Sequence, residues 1–313
     1  MIKSKLFLLT LLLTSLFSTG NMACAQDVNE LTGRWDLTVD MDGKKAPSWL
    51  EVKLSGIKTL VGYYVAHNGS ARPISKVDYK NGEIIFSIPP QWDNADQDME
   101  FSGQLKNGKL SGTITQSTGE KHSFTGVRAP SLVREKATKW GKTIELFNGK
   151  NLEGWHVDGD KNQWQVINGI LTSNSAGSNL ISDKKFDDFK LTAEFRYPKG
   201  SNSGIYLRGR YEVQIEDNPG TPPSSIYFGG IYGFLTPNEM VAKGPGEWQT
   251  YEITLIGRRV TIVANGKAII TDQIIPGITG GAIDSNEGES GPIMIQGDHG
   301  PVEFRKFEIT PAK

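Results

Sequence analysis

Apolar and polar residues alternate along most of this chain, in short segments that turn residues separate. The segment 101–105 alternates strictly, and the Asn107-Gly108 pair that follows is typical of a two-residue hairpin turn. A helical period of 3.6 residues is not sustained for three turns anywhere after residue 25. The pattern therefore predicts an all-β protein.

The first group of predicted strands occupies residues 27–129. Their length and spacing predict a small antiparallel β-barrel or sandwich domain. The predicted strands are 33–40, 49–54, 60–66, 84–88, 100–105, 110–116 and 123–127.

The second group of strands occupies residues 143–311 and includes a hairpin around Asn265-Gly266. The polar stretch 130–142, which begins with Pro130, is predicted to be a linker. Because the strands follow one another without intervening helices, we expect antiparallel sheets. We predict a two-sheet sandwich of jelly-roll type.

The first 25 residues have a different composition. Two lysines precede an apolar run at 6–17, and Ala23-Cys24-Ala25 follows it. This three-part pattern predicts a signal peptide cleaved before Gln26, and the run is too short to cross a bilayer, so no transmembrane segment is predicted. We therefore expect export to the periplasm or the cell surface. A lipid anchor at Cys24 is the alternative, although Asn21 stands where such signals carry a branched apolar residue.

Charge and cysteine content exclude several classes of protein. The chain has 34 Lys and Arg against 35 Asp and Glu, a net charge of −1. The predicted signal holds two Lys and no acidic residue, so the remainder has 32 basic and 35 acidic residues, a net charge of −3. Binding to phosphates needs a basic surplus, so no nucleic-acid partner is predicted. The one cysteine excludes a disulfide scaffold.

Three consecutive predicted strands, 191–197, 204–208 and 211–216, carry polar residues at every second position. If they pair in sequence order, these residues share one face of a sheet. The alternative is an ordinary solvated face with no function. The residues concerned are Glu194, Arg196, Tyr206, Arg208, Glu212, Gln214 and Glu216.

A long connection rich in Gly and Pro, residues 217–247, follows these strands and carries four aromatic residues. Loops of this length in compact domains are usually functional or disordered. The aromatic residues predict a lid or a wall for stacking sugars, and the alternative is that they pack the loop onto the core. They are Tyr227, Phe228, Tyr232 and Phe234.

His299 lies in a Gly-flanked turn next to Asp298. A histidine at the end of a sheet can act as an acid or a base near neutral pH, and the aspartate could orient it.

Residues 284–288 are similar to part of a calcium loop but lack the other ligands, so we interpret them as a surface loop. No cofactor is expected, and a requirement for a divalent cation is left open.

Glu212 and Glu216 fall on the same face of one predicted strand. At about 3.3 Å per residue their Cα atoms are about 13 Å apart. Hydrolysis by two carboxylates needs carboxyl groups about 5 to 9.5 Å apart. A regular strand does not bring the two carboxyl groups this close together, so a conventional two-carboxylate glycoside hydrolase is kept only as an alternative.

Several segments between residues 143 and 311 resemble the 3-keto-disaccharide hydrolase family, in the expected order. The resemblance implies a concanavalin-like jelly-roll sandwich and cleavage of glycosides that are oxidised at C3. Residues 27–129 lie outside it. The segments are LFNGKNLEGW at 146–155, WQVINGIL at 164–171, NSGI at 202–205, YEVQI at 211–215, GEW at 246–248 and VEFR at 302–305.

In such a substrate the keto group acidifies the C2 proton. A base can remove that proton, the enolate expels the C1 substituent, and water then adds. On the matching positions, the resemblance implies Glu212 or His299 as the base and Arg208 on the carbonyl oxygen. It also implies substrate binding by Glu194, Gln214, Asp217 and Tyr232, the last near the leaving group. A non-catalytic glycan-binding protein is the other alternative, and the oligomeric state is left open.

Overall fold

A computed structural model describes residues 28–91, 94–134 and 138–313 of the chain. The predicted signal peptide and Cys24 lie outside the described residues. Apart from one helical turn at residues 28–31, the described secondary structure consists of strands, short turns and bridges, which confirms the all-β prediction.

The first eight strands form a closed antiparallel barrel in which the last strand pairs with the first. Alternate residues point inwards and form the barrel core, where Phe101 stacks on Phe86 with ring centroids 4.5 Å apart. The strands are β1 (Gly33–Met41), β2 (Lys44–Ser55), β3 (Thr59–Val65), β4 (Arg72–Lys80), β5 (Glu83–Ile88), β6 (Met99–Lys106), β7 (Lys109–Thr115) and β8 (Lys121–Arg128).

The pattern missed β4. Its apolar residues Ile74 and Val77 are three positions apart, because the register with β3 shifts at that point. Such a shift breaks the two-residue alternation that identifies a strand. The predicted turn at Asn107-Gly108 is present, with φ of 53° and 73°.

The remaining strands form two stacked antiparallel sheets, which confirms the jelly-roll sandwich. One sheet has five strands in the order β10-β13-β20-β15-β16, and the other has the order β11-β12-β21-β14-β17-β18-β19, with β9 paired to β21. The strands are β9 (Ile144–Glu145), β10 (Trp155–Asp158), β11 (Trp164–Ile167), β12 (Ile170–Ser173), β13 (Asn179–Phe186), β14 (Phe189–Arg196), β15 (Asn202–Leu207), β16 (Tyr211–Glu216), β17 (Gln249–Ile256), β18 (Arg259–Ala264), β19 (Lys267–Ile274), β20 (Gly291–Ile295) and β21 (Val302–Pro311).

The expected pairing of three consecutive strands is wrong. β15 pairs with β16, but β14 belongs to the other sheet, between β17 and β21. The chain passes from one sheet to the other in residues 197–201. A two-residue alternation tells which side of a strand faces the core, but both sheets of a sandwich face the same core, so the pattern does not reveal the sheet.

The barrel packs directly against the sandwich. Trp49 of β2 and Val65 of β3 are buried within the hydrophobic core of the sandwich. The Trp49 ring meets Phe234 edge-on, with centroids 5.4 Å apart. The Ser285 hydroxyl donates a hydrogen bond to the Leu37 carbonyl of the barrel. The two parts therefore share a continuous packed interface.

Candidate active site

A pocket of about 470 Å³ lies against the face of the five-stranded sheet that points away from the second sheet. Its volume is in the range of small-molecule sites. Strands β15 and β16, the turn after β20, the long loop and part of the barrel contribute to it. It is lined by Asn68, Gly69, Asn202, Tyr206, Glu212, Gln214, Tyr232, Gly280, Gly281, Gln296, Asp298 and His299.

The pleat of β15 and β16 places the polar side chains in this pocket. Ile205 and Val213 are fully buried between the sheets, so the residues next to them point the other way. Tyr206 and Glu212 are directly opposite each other in the strand register. Their side chains therefore meet on the pocket side.

Glu212 is the most deeply buried acidic group of the pocket, with 3% of its surface exposed. Burial raises the pKa of Glu212 from 4.5 to about 8, and the Tyr206 hydrogen bond and the positive charge of His299 oppose this rise. The Tyr206 hydroxyl oxygen lies 2.9 Å from a Glu212 carboxyl oxygen and 2.9 Å from the Gly280 carbonyl oxygen.

One hydroxyl proton cannot serve both of these acceptors at once. When the Tyr206 hydroxyl donates to Gly280, a protonated Glu212 donates to the Tyr206 oxygen, and every group is satisfied. The geometry and the raised pKa thus agree on a neutral carboxylic acid near pH 7. Glu212 can therefore act as a proton donor.

His299 forms a pair with Asp298 on the turn after β20. The distance between Nδ1 of His299 and Oδ1 of Asp298 is 2.6 Å. This hydrogen bond raises the pKa of His299 above 6.5, although partial burial opposes the rise, and it lowers the pKa of Asp298. When Nδ1 donates its hydrogen to Asp298, the neutral ring presents the lone pair of Nε2, which is the arrangement of an oriented base.

Gln214 and Tyr232 are held in the pocket by the long loop. The Gln214 side chain donates a hydrogen bond to the Ile226 carbonyl at 3.3 Å, while its own Oε1 is buried without a protein partner. The backbone NH of Tyr232 donates to the Glu212 carbonyl at 3.1 Å. The loop therefore fixes the Gln214 amide against the pocket.

The aromatic residues of the long loop were predicted either to form a wall of the site or to pack the loop onto the core, and different residues do each. Tyr232 lines the pocket, whereas Phe228 is 1% exposed and belongs to the sandwich core. Phe234 packs on Trp49 of the barrel. The loop thus forms one wall of the pocket and is fixed by its buried aromatic side chains.

Arg208 does not line the pocket, so this geometry does not support the expected contact with the substrate carbonyl. It follows the last residue of β15, in the turn to β16, with φ of 53°. It is fully buried, and its Nη2 donates to the Tyr211 hydroxyl at 2.9 Å and to the Gly257 carbonyl at 3.0 Å. The alternation of β15 ends before Arg208, so the strand pattern no longer predicts its direction.

Two expected substrate-binding residues also lie outside the pocket. Glu194 is on β14 in the other sheet, where Arg305 donates a hydrogen bond to it at 2.6 Å. Asp217 accepts a hydrogen bond from the Gly200 backbone NH at 2.7 Å. Their substrate contacts are therefore not supported by this geometry.

Glu216, the second carboxylate of the conventional hydrolase alternative, is half-buried and does not line the pocket. Asn218 donates a hydrogen bond to it at 3.1 Å. The carboxyl groups that do line the pocket are Glu212 and Asp298, and the latter is paired with His299. The pocket therefore contains one buried carboxyl group and one histidine that is paired with an aspartate.

Sequence reasoning did not assign a role to several lining residues, among them Asn202, Gln296 and the Gly280-Gly281 pair. The barrel residues Asn68 and Gly69 were also missed, since they are far from the sandwich in sequence. The adjacent glycines were the signal available, because such a pair often marks a close approach of two backbones. The loop 284–288 was interpreted as surface, but its Glu287 is fully buried, where Arg258 and Tyr211 donate hydrogen bonds to it.

One group in the described part of the chain has ligand atoms close enough together to hold a metal ion. Asp42, Glu120 and His122 of the barrel present such atoms within 4.8 Å of one another. None of these residues lines the pocket.

Within the described residues, no helix is both long and apolar enough to span a bilayer.

Sequence comparison shows the family to which this fold belongs. The family of the 3-keto-alpha-glucoside-1,2-lyase-like domain matches residues 142–310. The chain belongs to this family, and the resemblance found in the sequence is confirmed.

A curated relative is the 3-keto-disaccharide hydrolase of Bacteroides thetaiotaomicron, which is 32% identical over 89 residues. The alignment covers 25% of this chain and 30% of that protein, so the chain spans less than a third of the relative's length.

Two solved structures are also similar. One is a candidate glycosyl hydrolase from Parabacteroides distasonis, with 28% identity and a TM-score of 0.47 over 56% of this chain and 92% of that chain. The other is an endo-β-1,3(4)-glucanase of family GH16, with 14% identity and a TM-score of 0.37 over 57% of this chain and 95% of that chain.

Proposed function

We propose that this protein cleaves the glycosidic bond of 3-keto-glycosides in the pocket described above. The proposal depends on one observation: Glu212, a buried carboxyl group whose pKa burial raises to about 8, lies in the same pocket as His299, a histidine paired with an aspartate. Such a pair can remove one proton and deliver another. The family and the name of the curated relative support the same substrate class.

In the first step His299 Nε2 takes the proton from C2 of the sugar, and the electron pair of the C2–H bond forms an enolate with the C3 carbonyl. The enolate then collapses, a double bond forms between C1 and C2, and the bond from C1 to the leaving oxygen breaks. Glu212 gives its proton to that oxygen. The products are an alcohol and a 2-hydroxy enone.

The second step restores both residues. Glu212, now a carboxylate, takes a proton from water as the water oxygen adds to C1. The protonated His299 returns a proton to C2. The sum of the steps is hydrolysis, and neither residue changes its protonation state over the cycle.

The test is to incubate the protein with a 3-keto-glucoside and with its parent glucoside in deuterated water. We expect cleavage of the keto compound alone, with deuterium at C2 of the released sugar. Cleavage of both substrates without deuterium would support the conventional hydrolase. Binding without cleavage would support a glycan-binding protein.

Matched variants connect the activity to the pocket. We expect loss of cleavage in His299→Ala and in Glu212→Gln. His156→Ala provides the histidine control, because His156 also pairs with an aspartate but lies on the surface, with its Nδ1 2.7 Å from Asp183 Oδ1. Glu216→Gln provides the carboxylate control on the same strand. Equal losses in a variant and its control would contradict the assignment.

We also propose that the protein is exported. This proposal is supported by the three-part pattern of residues 1–25 alone. N-terminal sequencing of the protein from its host is expected to begin at Gln26. A mature chain that begins with a lipid-modified Cys24 would instead support the anchored alternative.

A further inference from the structure

The loop between β3 and β4 of the barrel reaches the pocket of the sandwich. We call residues 66–71 the barrel loop. Asn68 and Gly69 of this loop line the same pocket as Glu212 and His299. The pocket is thus built by both parts of the chain, although the family match covers only residues 142–310.

Backbone contacts fix the position of the barrel loop. The Gly281 NH donates a hydrogen bond to the His67 carbonyl at 2.8 Å. A Cβ atom on Gly280 would lie 2.1 Å from the Gly69 carbonyl oxygen, so only glycine permits this approach. The loop therefore touches the segment whose Gly280 carbonyl holds the Tyr206 hydroxyl.

The base of the barrel loop is anchored in the sandwich core. Val65, immediately before the loop, and Trp49, its strand partner, belong to that core. On the other side of the loop, a Cβ atom on Gly233 would lie 2.6 Å from the Ala71 nitrogen. A loop held at both ends is a preorganised wall, since ordering it on binding costs little entropy.

A buried cluster of charges at the same interface adds to this rigidity. Asp36 of the barrel is 4% exposed. Burial and the neighbouring Glu287 raise the pKa of Asp36 to about 8, while Arg258 and Arg210 of the sandwich oppose the rise. Asp36 comes from the barrel and the other three groups come from the sandwich, so this contact belongs to the interface between the two parts.

The depth of the residues indicates which part of a substrate each contacts. Glu212 and Tyr206 are almost fully buried, whereas Asn68 is exposed at the rim. Glu212 is the donor to the leaving oxygen in the proposed function, and it is joined through the Tyr206 hydroxyl to Gly280, which the barrel loop touches. The group attached to that oxygen therefore lies on the side of the barrel loop. Asn68 offers one acceptor and two donors and has no group that titrates, which suits hydrogen bonds with sugar hydroxyls rather than proton transfer.

We infer that the barrel loop forms a subsite for a sugar in the leaving-group position, with Asn68 as a specificity-determining residue. This inference rests on the proposed function. It gives the barrel a role in selecting disaccharides over glycosides with a small leaving group.

The test compares Asn68→Ala with the unmodified protein on a 3-keto-disaccharide and on methyl 3-keto-glucoside. The loss of one neutral hydrogen bond to the substrate lowers kcat/KM by about 3- to 10-fold. We expect the ratio of kcat/KM for the disaccharide to kcat/KM for the methyl glycoside to fall by that factor. Asn174→Ala changes an exposed asparagine that does not line the pocket; it is the control and should leave the ratio unchanged.

An unchanged ratio in Asn68→Ala, whether both substrates are affected equally or neither, would overturn the inference. If the unmodified protein cleaves the substrates and the ratio is unchanged in Asn68→Ala, only the subsite is contradicted and the proposed function stands. If the unmodified protein cleaves neither substrate, the proposed function fails. Calorimetry of disaccharide binding then still tests the subsite, because binding must weaken in Asn68→Ala and not in Asn174→Ala.

Discussion

Replacing Glu212 by glutamine should stabilise the folded protein near neutral pH while it removes the proton donor. In the fold, Glu212 is 3% exposed, and burial raises its pKa from 4.5 to about 8. At pH 7 the carboxyl group must therefore take up a proton on folding that it does not hold in the unfolded chain. Glutamine is neutral in both states and has nearly the same shape.

The magnitude follows from the linkage between proton binding and folding. Because the folded pKa is raised, the contribution of Glu212 is fully present below pH 4.5 and is lost as the pH rises towards about 8. Each pH unit in this window lowers the free energy of unfolding by about 1.4 kcal/mol. From pH 4.5 to pH 7 the cost amounts to about 3 kcal/mol, which is the stability that Glu212→Gln should gain at pH 7.

The assay is urea denaturation of both proteins at pH 4.5 and at pH 7. We expect the free energy of unfolding of Glu212→Gln to exceed that of the unmodified protein by about 3 kcal/mol at pH 7 and by little at pH 4.5. Glu216→Gln is the control and should show a smaller change, since its carboxyl group is only half-buried. The reasoning is refuted if the difference is the same at both pH values, or if Glu212→Gln is the less stable protein at pH 7.

Three further predictions concern the same pocket. Cleavage needs the protonated form of Glu212, so kcat/KM for a 3-keto-glycoside should fall above pH about 8, and a pH–rate profile that stays flat to pH 9 would contradict this role. Asp298→Asn replaces the charged acceptor that raises the pKa of His299 by a neutral one, so NMR titration of the imidazole should show a midpoint at lower pH; an unchanged midpoint would refute the pairing. A Cβ atom on Gly281, where φ is 77°, would lie 2.4 Å from the Tyr206 hydroxyl. Gly281→Ala should therefore reduce kcat/KM on the order of 10-fold with an unchanged far-UV circular dichroism spectrum, whereas full activity would show that the hydroxyl position is unimportant.

Local pattern was sufficient to find most of the strands and one part of the site. The alternation of β16 placed Glu212 and Gln214 on the same side of a strand, and the Gly-flanked turn singled out His299 beside Asp298. These predictions depend only on residues that are close in sequence, because a strand repeats every two residues whatever it pairs with.

The partners across the pocket required the tertiary structure. Glu194 follows the same alternation as Glu212, yet its strand lies in the other sheet, because a crossover in residues 197–201 leaves the alternation intact. The barrel loop is more than 140 residues before Glu212 in the sequence and comes to the pocket through packing of Trp49 and Val65 in the sandwich core.

The sequence by itself thus determined the β architecture, the turns, the family and two candidates for the base, Glu212 and His299. The tertiary structure alone decided which polar residues face the pocket, that Arg208 is buried outside it, and that the barrel supplies Asn68 at its rim. The physical reason is that side-chain direction within a strand is a local property of the backbone. The assignment of a strand to a sheet and the docking of one part on another depend on burial between distant residues.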